Sequence, residues 1–178
     1  MKSPIQLTLL LFVLILVAGC QSRKPVSAGS ETLPDGIYLI LGKHIAQPRE
    51  DQVEGRLIKF SHHFLDENDK DQPHFLDVHP SEFVPLALSE TPDSVTQPDD
   101  RIHLMLTLAE TSQKQLARFT GKHVDRHVAI VIGQEAMTMH KIRMKITGGK
   151  LQITRCTDNA CEYLFYELQD NVILKKDG

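Results

Sequence analysis

The sequence predicts an α+β fold: a mostly antiparallel sheet with one main helix packed on one face, plus N-terminal strands. Residues 110–121 place Leu116 and Phe119 on one face of a helix. Residues 127–133 form an uninterrupted run rich in β-branched side chains, which is typical of a strand buried on both faces or lying at the centre of a sheet. Short apolar segments before residue 89 indicate further strands.

Four strands are predicted in the N-terminal half, because short apolar or alternating runs recur there between loops. They are GIYLIL, RLIKF, HFLDV and FVPLAL, at residues 36–41, 56–60, 74–78 and 83–88. The last two flank HPSE, which predicts a turn at residues 79–82. Residues 66–73 predict a charged, solvated loop. Residues 89–100 contain two prolines and no apolar periodicity, so they predict a long exposed connection.

The C-terminal half predicts the order strand, helix, strand, strand, strand and a last element. The strands are expected at residues 101–108, 127–133, 135–146 and 150–154, and the last element at residues 162–168. Ser112 and Gln115 fit a capping box at the start of the helix. Gly121 is expected to end the helix.

Two glycine-containing turns are predicted between these strands. Gly133 and Gln134 are expected to join the second and third strands of this half. Gly148 and Gly149 are expected to permit positive φ before the fourth strand, because glycine has no Cβ to clash in that conformation.

The N-terminus has the charged-then-apolar order of a secretory signal peptide, residues 1–19. Its unbroken apolar residues 9–18 would cover, as a helix, roughly half of the ~30 Å hydrocarbon core of a membrane. The sequence VAGC, which ends at Cys20, resembles the lipobox of bacterial lipoproteins. The resemblance implies that Cys20 becomes the first mature residue and carries acyl chains, such as palmitate, that anchor it stably. Gln21 then implies the outer membrane, with the domain facing the periplasm.

Lipidation of Cys20 would leave two cysteines, Cys156 and Cys161. An even remainder in an oxidising compartment predicts one disulfide bond between them. The alternative is a redox or metal-binding thiol pair, but the C-x4-C spacing differs from the C-x2-C of thioredoxin-like and zinc sites.

Composition argues against a nucleic-acid partner. The chain has 20 basic and 23 acidic residues and a formal net charge of −3, whereas nucleic-acid binding needs a concentrated basic surface. Residues 20–32, rich in Ser, Gly, Lys and Pro, predict a flexible lipidated stalk.

Residues Leu104 to Thr154 resemble the periplasmic head subdomain of the SecD and SecDF protein-translocation proteins. The shared features are a helix that ends in a threonine, a VAIVIG run and an I-x-G-G-x-x-Q-I motif. The matching residues are Phe119, Thr120, 128–133, Ile142, Ile146, Gly148, Gly149, Gln152 and Ile153. The resemblance implies a head-like fold and a surface that contacts unfolded or translocating polypeptide. Residues 101–170 would form this subdomain, 33–100 an N-terminal β-rich part of the domain, and 171–178 a C-terminal tail.

The sequence also departs from this family. Ile132 stands where the family has an aspartate, and His140 and Lys141 replace its usual proline. The transmembrane helices that carry proton transport in SecD-type proteins are not expected in this chain, so the resemblance implies no motor function.

The favoured function is a non-enzymatic, lipid-anchored envelope protein that binds a protein partner or client and is linked to protein export or envelope maintenance. No catalytic, cofactor-binding or metal residue is predicted, since no G-x-S-x-G, phosphate loop or activated nucleophile is present. This function predicts an exposed apolar groove or sheet edge beside residues 136–144. Met137, Met139 and Met144 could adapt to varied partners there, or be ordinary core.

Nine histidines leave a second hypothesis, a zinc- or copper-binding lipoprotein. His123 and His127 have the i, i+4 spacing of a zinc pair, but the helix is expected to end before them. The other histidines considered are His62, His63, His74, His79 and His140. Surface and loop positions are the favoured interpretation. A hydrolase is a third hypothesis, which would need a cleft with convergent polar groups.

Overall fold

The computed structural model describes residues 32–65, 69–96, 102–156 and 158–172, with the backbone alone at 102, 154–156 and 158–161. These residues form eight strands, β1–β8, and two α-helices, α1 and α2. In chain order the elements are β1 Gly36–His44, β2 Arg56–Phe60, β3 Phe75–Pro85, β4 Asp93–Thr96, β5 Ile102–Thr107, α1 Glu110–Lys122, β6 His127–Ile132, β7 Glu135–Lys141, β8 Lys150–Cys156 and α2 Asp158–Gln169.

Five strands close into a barrel in the order β1-β3-β2-β7-β6. Neighbours are antiparallel except β2 and β7, which pair in parallel where Lys59 and Phe60 face Glu135 and Ala136. All five strands contribute apolar side chains to one buried cluster, which fills the barrel. Its strand members are Tyr38, Ile40, Ile58, Phe60, Leu76, Val78, Ala129, Val131 and Ala136.

The other three strands form a second antiparallel sheet in the order β4-β5-β8. A second buried cluster joins this sheet, both helices and apolar side chains of the barrel strands. On β6, Val128, Ile130 and Ile132 belong to this cluster, whereas Ala129 and Val131 belong to the barrel interior. The alternation confirms the prediction of a strand buried on both faces, because successive side chains of a strand point in opposite directions.

The predicted α+β class is confirmed at the level of mostly antiparallel strands with helices packed against them, but the strands form a barrel and a separate sheet rather than one sheet. The prediction of one main helix is wrong, because residues 158–169 form α2. Leu164 and Leu168, four residues apart, lie on one face of α2 and are fully buried in the second cluster. The strands before residue 89 share one barrel with β6 and β7.

The turn predicted at HPSE is absent, since β3 runs unbroken from Phe75 to Pro85. Tyr38 pairs with Phe83 and Ile40 with Val78, so residues 79–82 bulge out of the ladder with β1. The His79 Nδ1 atom accepts hydrogen bonds from the backbone N–H groups of residues 81 and 82, at 3.3 and 3.1 Å. A side chain thus closes the bulge, and the strand continues beyond it.

The connection predicted at residues 89–100 contains β4, which pairs with β5. Every residue of β4 is exposed, as predicted for this stretch. Its sequence shows no apolar period because β4 is an exposed edge strand.

The helix lies where it was predicted, but the capping box and the glycine stop predicted for its two ends are both wrong. The N-cap is Ala109, without a side-chain cap, and Ser112 is buried inside the first turn. Gly121 lies within α1, which ends at Lys122, and the N–H of His123 still bonds to the Phe119 carbonyl at 3.0 Å.

The turn at Gly133 and Gln134 is confirmed, with φ values of 57° and 71°. Positive φ at both positions is what a two-residue type I′ hairpin requires. Gly148 and Gly149 do not have positive φ, so that prediction is wrong. The strand expected at residues 135–146 ends at Lys141.

Several predictions lie outside the described residues. The signal peptide, Cys20 and almost all of the stalk precede residue 32. Cys156 ends β8 and Cys161 lies in α2, but the side chains of both are outside the described part, so the disulfide stays a prediction.

Candidate binding groove

A mostly apolar groove of ≈ 370 Å³ opens between α1, the barrel and the segment that follows β7. We call it the apolar groove. Its lining is Ile37, Leu116, Thr120, Val128, Ile130, His140, Lys141, Ile142, Arg143, Met144, Ile146, Lys150, Leu151 and Gln152. The volume lies in the range of ligand pockets, about 300–1,000 Å³.

Thr120 joins one wall of the groove to the other. Its hydroxyl donates to the Leu116 carbonyl at 2.7 Å within α1 and accepts from the N–H of Ile146 at 2.9 Å. Thr120 is buried. Its hydroxyl provides a hydrogen-bond acceptor for the Ile146 N–H, which has no strand partner because residues 142–149 form no strand. The last turn of α1 thereby positions residues 142–149.

Backbone hydrogen bonds fix both ends of the same segment. The Asp125 N–H donates to the Ile142 carbonyl at 2.8 Å, and the Ile142 N–H donates to the Arg126 carbonyl at 2.9 Å. At the other end, the Leu108 N–H donates to the Gly149 carbonyl at 2.8 Å. The segment 142–149 therefore reaches β8 as an irregular but anchored wall.

The groove combines an apolar lining with a basic rim. Ile37, Val128 and Ile130 contribute buried apolar side chains from β1 and β6. The charged residues of the lining are Lys141, Arg143 and Lys150, all exposed, and no acidic residue lines the groove. Met144, 69% exposed, is the most accessible apolar side chain beside them.

A second groove, of ≈ 410 Å³, lies on the other side of β7, and we call it the polar groove. It adjoins the part of β7 that continues beyond its short pairing with β2. Its lining is Phe60, Phe64, Asp69, Asp71, Gln72, Pro73, Met137, Thr138, Met139 and His140. The two carboxylates give it a charge opposite to that of the apolar groove.

The structure separates the three methionines that the sequence grouped together. Met137 is 1% exposed and belongs to the second buried cluster, so it is ordinary core. Met139 is half-buried and lines the polar groove. Only Met144 lines the apolar groove. An apolar groove thus lies beside the predicted hairpin, but one of the three methionines serves it.

The histidines near the apolar groove are less basic than usual. Much of His140 is accessible to solvent, yet desolvation by its neighbours lowers the pKa of its imidazole. Burial, followed by the charges of Lys43 and Lys141, lowers the pKa of His127. At neutral pH the positive charge of the rim therefore comes from lysine and arginine.

Beyond the C-terminal end of α1, Glu82 accepts hydrogen bonds from Lys122 Nζ at 2.6 Å and His123 Nε2 at 3.0 Å. These hydrogen bonds, the one from Lys122 first, lower the pKa of Glu82. His123 also packs on the Phe119 ring, with centroids 4.8 Å apart. His123 thus links α1 to the bulge of β3.

The remaining histidines are dispersed. The ring of His62 lies tilted by 37° against that of His63, with centroids 3.9 Å apart, and His63 stacks on Tyr163 of α2 at 4.8 Å. Within residues 32–65, 69–96, 102–156 and 158–172, no three His, Cys, Asp or Glu residues lie close enough together to hold a metal ion.

Residues 86–169 match the family model of the SecDF P1 head subdomain. They form a SecD head-like subdomain. The match covers the stretch of sequence resemblance and extends on both sides of it, from the end of the barrel strand β3 to the end of α2. No curated protein matches the chain.

Solved SecDF structures show low similarity to the chain. A SecDF crystal structure in a super-membrane-facing form is 19% identical, with a TM-score of 0.48, over 75% of this chain and 18% of that one. A SecDF described as a membrane component that enhances protein export is 20% identical, with a TM-score of 0.45, over 76% of this chain and 62% of that one. SecDF from Thermus thermophilus, described as translocon-associated, is 20% identical, with a TM-score of 0.40, over 74% of this chain and 19% of that one.

The head-like motif residues meet around the apolar groove. Thr120 and Ile146 bond across it, Ile142 and Gln152 line it, and Gly149 closes the segment between them. What the sequence did not reveal is the rim, because Lys141, Arg143 and Lys150 come together only when the segment 142–149 folds back onto α1.

No helix among the described residues has the length and apolar character needed to cross a membrane.

Proposed function

We propose that this protein is a non-enzymatic, lipid-anchored envelope protein that binds an apolar segment of a polypeptide partner in the apolar groove. The process served would be protein export or envelope maintenance. The observation that carries the proposal is the apolar groove, which lies mostly within the SecD head-like subdomain and has six motif residues among its 14 lining residues.

The match to the SecDF P1 head subdomain supports a role in protein handling. The matched subdomain belongs to a protein-translocation family rather than to a family of enzymes. The chain spans 18%, 62% and 19% of the three solved SecDF chains, so only the role of the head subdomain is carried over. Of the steps of protein export, the binding of exported polypeptide is one that a groove in this subdomain could perform alone.

The form of the groove favours an extended polypeptide as the partner. Lys150, Leu151 and Gln152 of β8 line it, and among the described residues β8 pairs on one side only, with β5. An extended segment could therefore bond to the free edge of β8 and place alternate side chains on the apolar lining. Met144 offers a flexible, polarisable contact for varied sequences.

A lipid anchor at Cys20 would hold this domain against the periplasmic side of an envelope membrane, and Gln21 favours the outer membrane. A periplasmic location agrees with the SecD head subdomain. We expect a fatty-acid probe to label the protein in cells and Cys20→Ser to release it from the membrane fraction. An unlabelled protein, or a Cys20→Ser variant that stays in the membrane fraction, would overturn the anchor.

The disulfide between Cys156 and Cys161 remains part of the proposal for an oxidising compartment. It would tie the end of β8 to the first half of α2. Thiol labelling of the unfolded protein is expected to modify these cysteines only after reduction. Labelling without reductant would contradict the disulfide.

Site-specific photocrosslinking in cells tests the binding function. A photoreactive residue in place of Met144, in the apolar groove, is expected to capture polypeptide partners. The matched control is Tyr166 on α2, which is 61% exposed and lines neither groove. We expect crosslinked protein several-fold above the control at Met144. Equal yields at both positions would count against binding in the groove.

A further inference from the structure

The charge of the apolar groove departs from the charge of the chain. The chain has a formal net charge of −3, yet its groove is lined by Lys141, Arg143 and Lys150 and by no acidic residue. Lys145, in the same segment, is also exposed. The cations therefore gather at one opening on a protein with excess acid.

These charges are mostly not neutralised. Lys141 forms an exposed ion pair with Asp125, Nζ to Oδ1 at 3.0 Å. Neither Arg143 nor Lys150 has an ion pair or a side-chain hydrogen bond with any residue in the described ranges. Two cations are thus left available to a bound molecule, one of them an arginine whose planar guanidinium suits a carboxylate.

The opposite charge lies across β7. Asp69 and Asp71 line the polar groove, and His140 borders both grooves. Because desolvation lowers the pKa of His140, the imidazole adds little positive charge to either groove at neutral pH. A polypeptide lying in the apolar groove thus meets an apolar surface bordered by cations.

We propose that the apolar groove selects polypeptide segments in which carboxylates flank apolar side chains, and disfavours segments flanked by lysine or arginine. This inference rests on the proposed function, since it names the class of segment bound at the same groove. Apolar contact would supply the affinity, and the rim would supply the selection, because like charges brought together at an interface oppose binding.

The expected difference in affinity between the peptides is modest, because the cations of the rim are exposed to solvent. Exposed ion pairs are individually weak, so two or three of them distinguish a glutamate-flanked from a lysine-flanked peptide by about tenfold in affinity. Dissolved salt screens interactions between exposed charges. The preference for glutamate flanks should therefore shrink as ionic strength rises from about 0.05 to about 0.5 M.

Fluorescence anisotropy with purified full-length protein tests the inference. Three peptides share one apolar core and differ in their flanks, which are glutamate, serine or lysine. We expect the order glutamate, serine, lysine from tightest to weakest. Combined Arg143→Gln and Lys150→Gln should reduce the preference to threefold or less. The control Lys59→Gln removes an exposed cation that lines neither groove and should leave the preference unchanged.

The outcomes separate the two proposals. If the serine peptide fails to bind, the proposed function fails. If it binds but the flanks do not matter, or if the double variant keeps the full preference, the selection is wrong while the groove stands. Phosphatidylglycerol vesicles that displace the glutamate peptide, and need Arg143 and Lys150 to do so, would assign the rim to lipid headgroups and overturn the inference.

Discussion

At the scale of single residues, Thr120 determines how the groove is built. Its hydroxyl accepts a hydrogen bond from the Ile146 N–H at 2.9 Å and donates one to the Leu116 carbonyl. Sequence resemblance singled out this threonine as the end of the helix. Its bonding role could not be predicted, because Ile146 lies 26 residues away and approaches only after β6 and β7 have folded.

Removing this hydroxyl should loosen the wall of the groove. Thr120→Val keeps the shape but leaves the Ile146 N–H without its acceptor, which costs about 1–2 kcal/mol. We expect the Ile146 amide to exchange with solvent about tenfold faster, as measured by hydrogen exchange. Thr120→Ser, which keeps a hydroxyl, is the control. Unchanged protection of Ile146 in Thr120→Val would contradict this role.

Two adjacent glycines provide a matched test of packing. A Cβ on Gly149 would collide with the side chain of Gln113, whose Nε2 donates to the Leu108 carbonyl at 2.7 Å. Gly149→Ala should therefore break that hydrogen bond and destabilise the fold by about 1 kcal/mol. Around Gly148 a Cβ would meet open space, so Gly148→Ala should be neutral within about 0.5 kcal/mol. Urea unfolding measures both, and equal losses would refute the argument.

Glu82 gives the fold a dependence on acid. Its carboxyl has a lowered pKa, so it contributes stability above the unfolded-state pKa, about 4.3, and that contribution is lost as pH falls through the folded-state pKa. Glu82→Gln should be less stable than the unaltered protein at neutral pH, and the difference should shrink below about pH 4. Urea midpoints at several pH values measure this. A difference independent of pH would be the contrary result, and Glu90→Gln, at an exposed residue, serves as the control.

At the scale of elements, periodicity predicted the strands well and their interruptions poorly. β1, β2, β5, β6 and β8 lie where apolar or alternating runs placed them. The predicted turn at residues 79–82 is a bulge, because His79 satisfies the backbone there and the ladder with β1 resumes. β4 escaped prediction because an exposed edge strand has no buried face to mark its sequence.

The helix α2 is a structural element of the second core, and its two faces can be tested separately. Leu164 is fully buried in that core, whereas Tyr166 is 61% exposed. Leu164→Ala should destabilise the protein by about 2–5 kcal/mol. Tyr166→Ala should stay within about 0.5 kcal/mol of the unaltered protein. Thermal or urea unfolding decides, and a tolerated Leu164→Ala would show that α2 does not pack as described.

At the scale of the whole molecule, two buried clusters share the strands β1, β3, β6 and β7. One fills the barrel, and the other holds the second sheet and both helices against it. The sequence indicated the shared strand, β6, from its apolar residues on both faces. It could not indicate barrel closure, since the parallel pairing of β2 with β7 joins residues about 76 apart in the chain.

The apolar groove is a product of that arrangement, since it lies where α1, the barrel and β8 meet. Its apolar lining was partly predictable from the head-like motif. Its basic rim was not, because lysine and arginine at positions 141, 143 and 150 are unremarkable in a linear sequence.

Methyl NMR of the full-length protein with the serine-flanked apolar peptide tests most directly whether the groove binds polypeptide. We expect the peptide to shift the methyl resonances of Ile142, Ile146 and Leu151, which line the groove, and to leave those of Leu76 and Val78, inside the barrel, unchanged. Saturating peptide that leaves the groove methyl groups unshifted, or that shifts resonances elsewhere instead, would contradict binding in the groove.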